Sequence, residues 1–234
     1  MKNILKLSLL LVLIVTNYSC KKENNLNQAG NKNRMKPSEI GYYHNVVVSL
    51  YLNNKNYKPN QPIDKIGKSM INLMKEKYPN LMKKFSLPEH YNYLVGYYKS
   101  TNKGNSEFDL TQFTEDGFQN LVTRNIISID FKEDIIDIVN NSSTYNDVIN
   151  KIQIVKNKNL NNEERYIIEV FESIANNSHT LWSNYYNGNK IKPSTKVILA
   201  DIVGGVLGSL YSGIFGIIQG GLVSAAVNEG GGAH

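Results

Sequence analysis

Residues 202–227 read IVGGVLGSLYSGIFGIIQGGLVSAAV, an uncharged apolar stretch that contains seven glycines. Each glycine disfavours a helix by about 1 kcal/mol relative to alanine, so this stretch becomes helical only where packing or lipid supplies the difference. Glycines spaced four residues apart allow two helix backbones to approach closely. The stretch has two such pairs, Gly204 with Gly208 and Gly216 with Gly220. We expect these four glycines to lie at a helix contact.

Three interpretations of the C-terminal segment, residues 193–234, follow from this composition. The segment forms a helical hairpin that bends near Tyr211 and packs on the rest of the chain or on a second copy of it. Alternatively it attaches the protein to a membrane, or it acts on a membrane, because it resembles the glycine-rich apolar helices of bacteriocins and small toxins. The apolar residues between 202 and 220 favour membrane insertion by roughly 3–5 kcal/mol. The glycines, the serines and Gln219 oppose it, so insertion is marginal.

Residues 37–192 show the periodicity of amphipathic helices. Apolar side chains recur three and four residues apart, and the breaks between the periodic segments are short and polar. The predicted helices cover about residues 38–53, 63–85 with a kink at Pro79, 86–99, 118–127 and 131–139, and two more begin with capping residues at Thr144 and Asn161. Short breaks favour antiparallel neighbours. The sequence therefore predicts an all-α fold, an irregular antiparallel helical bundle with a Gly-rich C-terminal helix or helical hairpin.

Two places in this helical region are candidates for a polar or ligand-binding site. Residues 41–45, GYYHN, resemble the opening of some uncharacterised bacterial exported proteins, and His44 and Asn45 are the possible polar site. The alternative is a buried histidine that bridges helices through hydrogen bonds. Convergent polar groups in a pocket around His44 would instead indicate an enzyme. Trp182 is either an aromatic ligand platform or a core residue with its indole N–H bonded, and we expect the latter.

The sequence lacks the patterns that are typical of catalysis, metal binding and nucleic-acid binding. It has no HExxH, no GxSxG and no P-loop, and its four histidines are not spaced as metal ligands. Neighbouring carboxylates such as Glu163 and Glu164 lie at predicted helix starts, where the helix dipole favours them. Basic residues alternate with acidic ones and form no stripe. We predict no catalysis, no cofactor, no metal and no nucleic-acid partner.

The first nineteen residues have the layout of a secretory signal peptide. Lys2 and Lys6 precede an apolar run over residues 7–15. The run is too short to cross a bilayer core of about 30 Å as a helix, which needs roughly 20 residues. A basic flank followed by a short apolar core is typical of export. We predict that residues 1–19 direct the chain out of the cytoplasm.

Cys20 follows this segment directly and is preceded by the small residue Ser19. This arrangement resembles the lipobox of bacterial lipoproteins, and the layout of the whole chain resembles that of poorly characterised Bacteroidota-type lipoproteins that pair a helical domain with a Gly-rich apolar tail. The resemblance implies that Cys20 carries the lipid and becomes the first residue of the mature chain. Asn17 and Tyr18 depart from the lipobox, which prefers a leucine-like residue followed by a small one. The alternatives are an ordinary secretory signal with an incidental cysteine and an uncleaved anchor.

The rest of the domain organisation follows from composition. Cys20 is the single cysteine, so an intramolecular disulfide is impossible. We predict that residues 20–36 comprise the lipidated Cys20 and a flexible tether, since residues 21–36 are polar; sixteen such residues would span roughly 20–25 Å. Residues 37–192 are the helical domain, and residues 193–234 are the Gly-rich segment. Removing residues 1–19 takes away two of 26 basic residues and none of the 20 acidic ones, which leaves a net charge of +4.

The expected function is that of a lipid-anchored cell-envelope protein with a structural or interaction role, placed at an outer-membrane, periplasmic or surface face. The expected partners are the membrane, through the lipid on Cys20, and a protein partner or a second copy through the C-terminal segment. The alternative is a secreted, membrane-active protein that acts through its Gly-rich C-terminal segment.

Overall fold

A computed structural model describes residues 34–54, 61–83, 85, 91–92, 108–187 and 194–230. The predicted signal peptide and Cys20 lie outside the described residues, as does nearly all of the helix that was predicted over 86–99. The chain divides into two units, Met1–Arg34 and Met35–His234. Only the second unit holds described helices.

Within the described residues the secondary structure is helical, with no β-strand. We number the helices in chain order. They are α1 (Pro37–Leu52), α2 (Ile63–Lys77), α3 (Pro79–Met82), α4 (Leu110–Thr123), α5 (Ile129–Asn140), α6 (Tyr145–Lys156), α7 (Asn162–Asn187), α8 (Thr195–Ser209) and α9 (Gly213–Gly230). The prediction of an all-α fold is confirmed. The predicted break at Pro79 is present as the boundary between α2 and α3.

Local capping residues fix the starts of α6 and α7. The Thr144 hydroxyl accepts a hydrogen bond from the Asp147 backbone N–H, and the Asp147 carboxylate accepts one in return from the Thr144 backbone N–H. Asn161 and Glu164 make the same reciprocal pair at the start of α7. Such pairs satisfy backbone donors that a helix start leaves open. Both helix starts lie where the sequence predicted them.

Helix α4 differs from the prediction, which placed it over residues 118–127. The helix begins at Leu110, because the Asp109 carboxylate accepts a hydrogen bond of 2.9 Å from the Gln112 backbone N–H. It ends at Thr123, where Asn125 adopts a positive φ of 55° and the Ile126 backbone N–H donates to the Leu121 carbonyl. This is a Schellman ending with asparagine in the position that glycine usually occupies.

Helices α8 and α9 form a helical hairpin that turns at residues 210–212. The hairpin is held together by close backbone contact. A Cβ atom added to Gly208 would lie 2.8 Å from the Cα atom of Gly216, and one added to Gly204 would lie 2.7 Å from the carbonyl oxygen of Gln219. A Cβ atom on Gly216 would lie 2.6 Å from the carbonyl oxygen of Gly205. Larger residues at these positions would push the two helices apart.

This hairpin is the centre of the helical unit. All residues from 197 to 210 and from 215 to 224 are buried. Gly205 lies against Ile174 of α7, whereas Gly221 lies against Val48 of α1 and Met70 of α2. Burying one large apolar side chain stabilises a fold by about 1.5–3 kcal/mol, so a few of the buried side chains offset the cost of the seven glycines. Among the described helices, none is both long enough and apolar enough to cross a bilayer.

Candidate functional site

His44 and Asp201 form the centre of a buried polar cluster. His44 lies on α1 and Asp201 on α8, and both side chains are fully buried. The Nε2 atom of His44 lies 2.9 Å from the Oδ1 atom of Asp201. A carboxylate only accepts hydrogen bonds, so Nε2 is the donor. The two residues are 157 positions apart in the chain, and their hydrogen bond joins the first described helix to the C-terminal hairpin.

Helix α7 supplies two further donors to the same carboxylate. Ser178 Oγ donates to Asp201 Oδ2 over 2.8 Å, and Trp182 Nε1 donates to the same oxygen over 2.6 Å. Ser178 and Trp182 are four residues apart and therefore share one face of α7. Burying an unpaired carboxylate destabilises a fold by several kcal/mol, whereas each hydrogen bond to a charged group stabilises it by about 1.5–3 kcal/mol. The expectation that Trp182 is a core residue with a bonded N–H is confirmed.

Helix α9 covers the cluster at Gly220. A Cβ atom at this position would lie 2.7 Å from Cδ2 of His44 and 2.9 Å from the backbone oxygen of Asp201. Only a residue without a side chain allows α9 to pack over the imidazole ring. Four helices, α1, α7, α8 and α9, thus meet at one group of polar side chains.

Asn45 belongs to a neighbouring contact between α1 and α7. Its Nδ2 atom donates to the carbonyl oxygen of Asn177 over 2.6 Å, and Asn177 Nδ2 in turn donates to the carbonyl oxygen of Ser173 over 2.8 Å. Gly41, one turn earlier, lies directly against Ser173. The structure therefore places His44 in the polar cluster and Asn45 beside it, on the surface where α1 meets α7.

Asp201 and Ser178 were not predicted from the sequence as parts of the cluster around His44. A signal for Asp201 was present, since it is the only charged residue between Lys196 and Glu229. An acid within a segment that must be buried needs hydrogen-bond donors from elsewhere in the fold. The sequence does not indicate which donors these are.

The cluster contains serine, histidine and aspartate, but they are not arranged for nucleophilic catalysis. A nucleophilic serine donates its hydrogen bond to the histidine base, and the aspartate orients that base from the other side. Here Ser178 donates to Asp201. Two cavities of about 520 and 340 Å³ are lined by other residues, such as Phe108 and Leu199 in the first and Lys68 and Phe85 in the second. The arrangement is suited to joining helices.

A second buried acid, Glu164, joins the starts of α5 and α7. Its Oε1 atom accepts hydrogen bonds of 2.7 Å from both the backbone N–H and the hydroxyl of Ser128, and its Oε2 atom accepts one of 2.9 Å from the Asn161 backbone N–H. Burial raises the pKa of Glu164, but the hydrogen bonds from Ser128 and Asn161 outweigh it and hold the pKa below its usual value.

Glu164→Gln is expected to lower the free energy of unfolding by about 1 kcal/mol at pH 7, because the amide replaces an oxygen acceptor with a donor. The lowered pKa means that the carboxylate stabilises the fold above the unfolded pKa of about 4.3, and that this stability is lost as the pH falls through the folded pKa. Urea unfolding of both proteins between pH 7 and pH 3 measures this. The difference in unfolding free energy should shrink toward pH 3, and a constant difference would contradict the assignment.

Over the part of the chain that the structure describes, no three His, Cys, Asp or Glu side chains are grouped as a metal site. Among the other histidines, His179 stacks on Tyr145 with ring centroids 3.8 Å apart. A comparison of the chain with protein-family models, with curated proteins and with solved structures finds no match.

Proposed function

We propose that the protein is a lipid-anchored component of the cell envelope with an interaction or structural role, attached to the membrane through Cys20. One structural observation carries the proposal. The apolar C-terminal segment lies in the centre of the helical unit, where residues 197–210 and 215–224 are buried. A segment whose apolar surface is already covered by protein has little left to bind lipid. We therefore assign membrane attachment to the N-terminal cysteine.

The buried polar cluster supports a role without catalysis. Both carboxylate oxygens of Asp201 accept hydrogen bonds from donors on α1 and α7, and Gly220 allows α9 to cover the imidazole ring. Such a group contributes rigidity to the domain that the anchor would present. The proposed role is thus carried by the outer surface of the unit Met35–His234.

Cys20→Ser is expected to abolish lipidation. The chain is produced in a bacterial host with an alkyne-labelled fatty acid, and the labelled protein is measured in the membrane fraction. The unchanged chain should carry the label, whereas the Cys20→Ser chain should carry none and should leave that fraction. Cys20 lies outside the compact unit Met35–His234, so the helical circular dichroism of the purified variant should be unchanged. A Cys20→Ser chain that keeps its label would overturn the proposal.

The second candidate is a membrane-active protein that acts through α8 and α9. The observation in its favour is that residues 215–224 of α9 are all buried and, apart from Gln219 and Ser224, carry no polar side chain. A helix that is apolar on every side suits a protein core and a lipid environment alike. Release of a dye from anionic liposomes by residues 20–234 would favour this candidate, and retention of the dye would favour the anchored domain.

A further inference from the structure

Four helix termini meet at the end of the bundle where the chain enters the helical unit. Met35 lies against Gly213 at the start of α9, and the Tyr166 hydroxyl near the start of α7 donates to the Met35 carbonyl over 3.2 Å. Glu164, two residues before Tyr166, accepts hydrogen bonds from Ser128 at the start of α5. We call this region the tether end. It comprises residues 35–37, 126–129, 160–166 and 210–214.

The tether end exposes large apolar side chains. In the described part of the chain, four large hydrophobic residues are exposed, and two of them are at this end. Ile129 is 60% exposed and Tyr211 is 41% exposed. Half-buried apolar residues flank them; they are Met35, Ile126, Leu160 and Ile214. Single exposed hydrophobic residues are ordinary, whereas a group of them at one end of a domain marks an interaction surface. Here the group lies around the point where the chain enters the helical unit.

We propose that the tether end is a lipid-facing surface that rests on the membrane carrying the anchor. This inference rests on the proposed attachment at Cys20. About fifteen residues separate Cys20 from Met35, and their polar sequence predicts a chain that would span about 20 Å. The far end of α1 lies about 24 Å beyond its start, since each helical residue rises 1.5 Å. The tether end is therefore the part of the unit that the anchor holds nearest the bilayer.

Because the link to the anchor is short, a surface with only weak affinity for lipid is enough to keep this end of the unit on the membrane. A link of this length, if it is as flexible as its polar sequence predicts, gives an effective concentration on the order of millimolar, so a contact with a dissociation constant in that range is already substantially occupied. Tyr211 has an apolar ring and a polar hydroxyl, the combination that is enriched at the headgroup level of membranes. Lys36 and Arg165 are exposed near Glu39 and Glu163, so the charges nearly balance. The other exposed polar residues at this end are uncharged, and Ile129 and Tyr211 supply the apolar contact; the uncharged ones are Ser128, Asn161, Asn162 and Ser212.

Ile154 provides a matched control for Ile129. It is 62% exposed, against 60% for Ile129, but it lies on α6 along the side of the bundle. The neighbouring side chains Gln153 and Lys156 bond to Glu172 of α7. Glu172 is eight residues beyond Glu164, which places it about 12 Å further along α7 from the tether end. A lipid surface at the tether end therefore reaches Ile129 and leaves Ile154 in water.

The experiment attaches residues 20–234 to liposomes through the Cys20 thiol and a maleimide lipid, in phosphatidylcholine with and without brominated acyl chains. Residues 1–34 are a separate unit from Met35–His234, so the shortened N-terminus leaves the compact unit intact. The variants are Ile129→Trp and Ile154→Trp, and the unchanged chain measures the background from the buried Trp182. The coupling imposes the attachment, so its result is independent of whether cells lipidate Cys20.

Brominated lipid should quench the added tryptophan of Ile129→Trp by roughly half, because an indole at the headgroup level is within reach of brominated acyl chains. Ile154→Trp should be unaffected. Equal quenching of both variants, or no quenching of Ile129→Trp, would overturn the proposal. The added tryptophan of Ile129→Trp could instead be shielded from solvent but not quenched, with an emission that changes with the density of protein on the liposome. That result would assign the surface to a second copy of the chain. If the quenching succeeds while fatty-acid labelling of Cys20 fails, the attachment is wrong and the surface stands.

Discussion

Asp201→Ala is expected to lower the free energy of unfolding by about 3–5 kcal/mol, the largest effect of any single side-chain truncation that we predict. The change removes the acceptor that His44, Ser178 and Trp182 share, and all three donors stay buried. A buried donor without a partner costs about 1–3 kcal/mol. Urea unfolding at pH 7, followed by circular dichroism at 222 nm, measures the loss.

Asp134→Ala is the control for this prediction. Asp134 accepts a hydrogen bond of 2.7 Å from the ammonium of Lys158, but 48% of the Lys158 side chain and 21% of the Asp134 side chain are exposed. Solvent screens such a pair, so its removal should cost less than about 1 kcal/mol. If Asp201→Ala costs no more than Asp134→Ala, the buried cluster does not hold the helices together.

A double variant separates the cluster from a simple loss of packing. His44→Ala and Asp201→Ala remove the two sides of one hydrogen bond, so the combined loss should be smaller than the sum of the two single losses by about 1–3 kcal/mol. Additive losses would mean that each residue acts on its own. This test does not depend on any assumption about which of the two side chains carries charge.

The parts of the fold that could be predicted are those that neighbouring residues determine. The starts of α6 and α7 depend on side chains three residues apart, Thr144 with Asp147 and Asn161 with Glu164, and such pairs are visible in the sequence. Helix α4 was placed wrongly because both its ends depend on weaker signals. Its start uses Asp109 alone, and its end uses Asn125 in a conformation that glycine adopts more often.

The candidate site could be predicted only in part, because its members are far apart in sequence. The GYYHN stretch singled out His44 together with Asn45, but nothing near it in the chain indicates Asp201, 157 residues later. The glycine pairs predict a close helix contact, and the hairpin turn predicts that the contact lies between α8 and α9. The axial offset between the two helices determines that Gly208 faces Gly216 and that Gly220 faces His44. That register depends on how the whole core packs.

Gly216→Ala is expected to lower the free energy of unfolding by about 2–3 kcal/mol, in the range found for overpacked cores. The added methyl group would lie 2.6 Å from the Gly205 carbonyl oxygen and 2.8 and 2.9 Å from the backbone N and Cα atoms of Ser209. All three are backbone atoms of α8, which move only if the whole helix moves. The hairpin would have to separate at this backbone contact.

Gly205→Ala is the matched comparison, since it adds the same methyl group to the same hairpin. There the close contact is with Cδ1 of Ile174, the free end of a side chain that can rotate away, and the nearest backbone atom, the Gly216 carbonyl oxygen, lies at an ordinary 3.6 Å. Each change also gains about 1 kcal/mol of helix propensity, so that gain cancels in the comparison. Gly205→Ala should therefore stay within about 1 kcal/mol of the unchanged protein. Equal losses would show that side-chain crowding, and not backbone contact, limits how closely α8 and α9 approach.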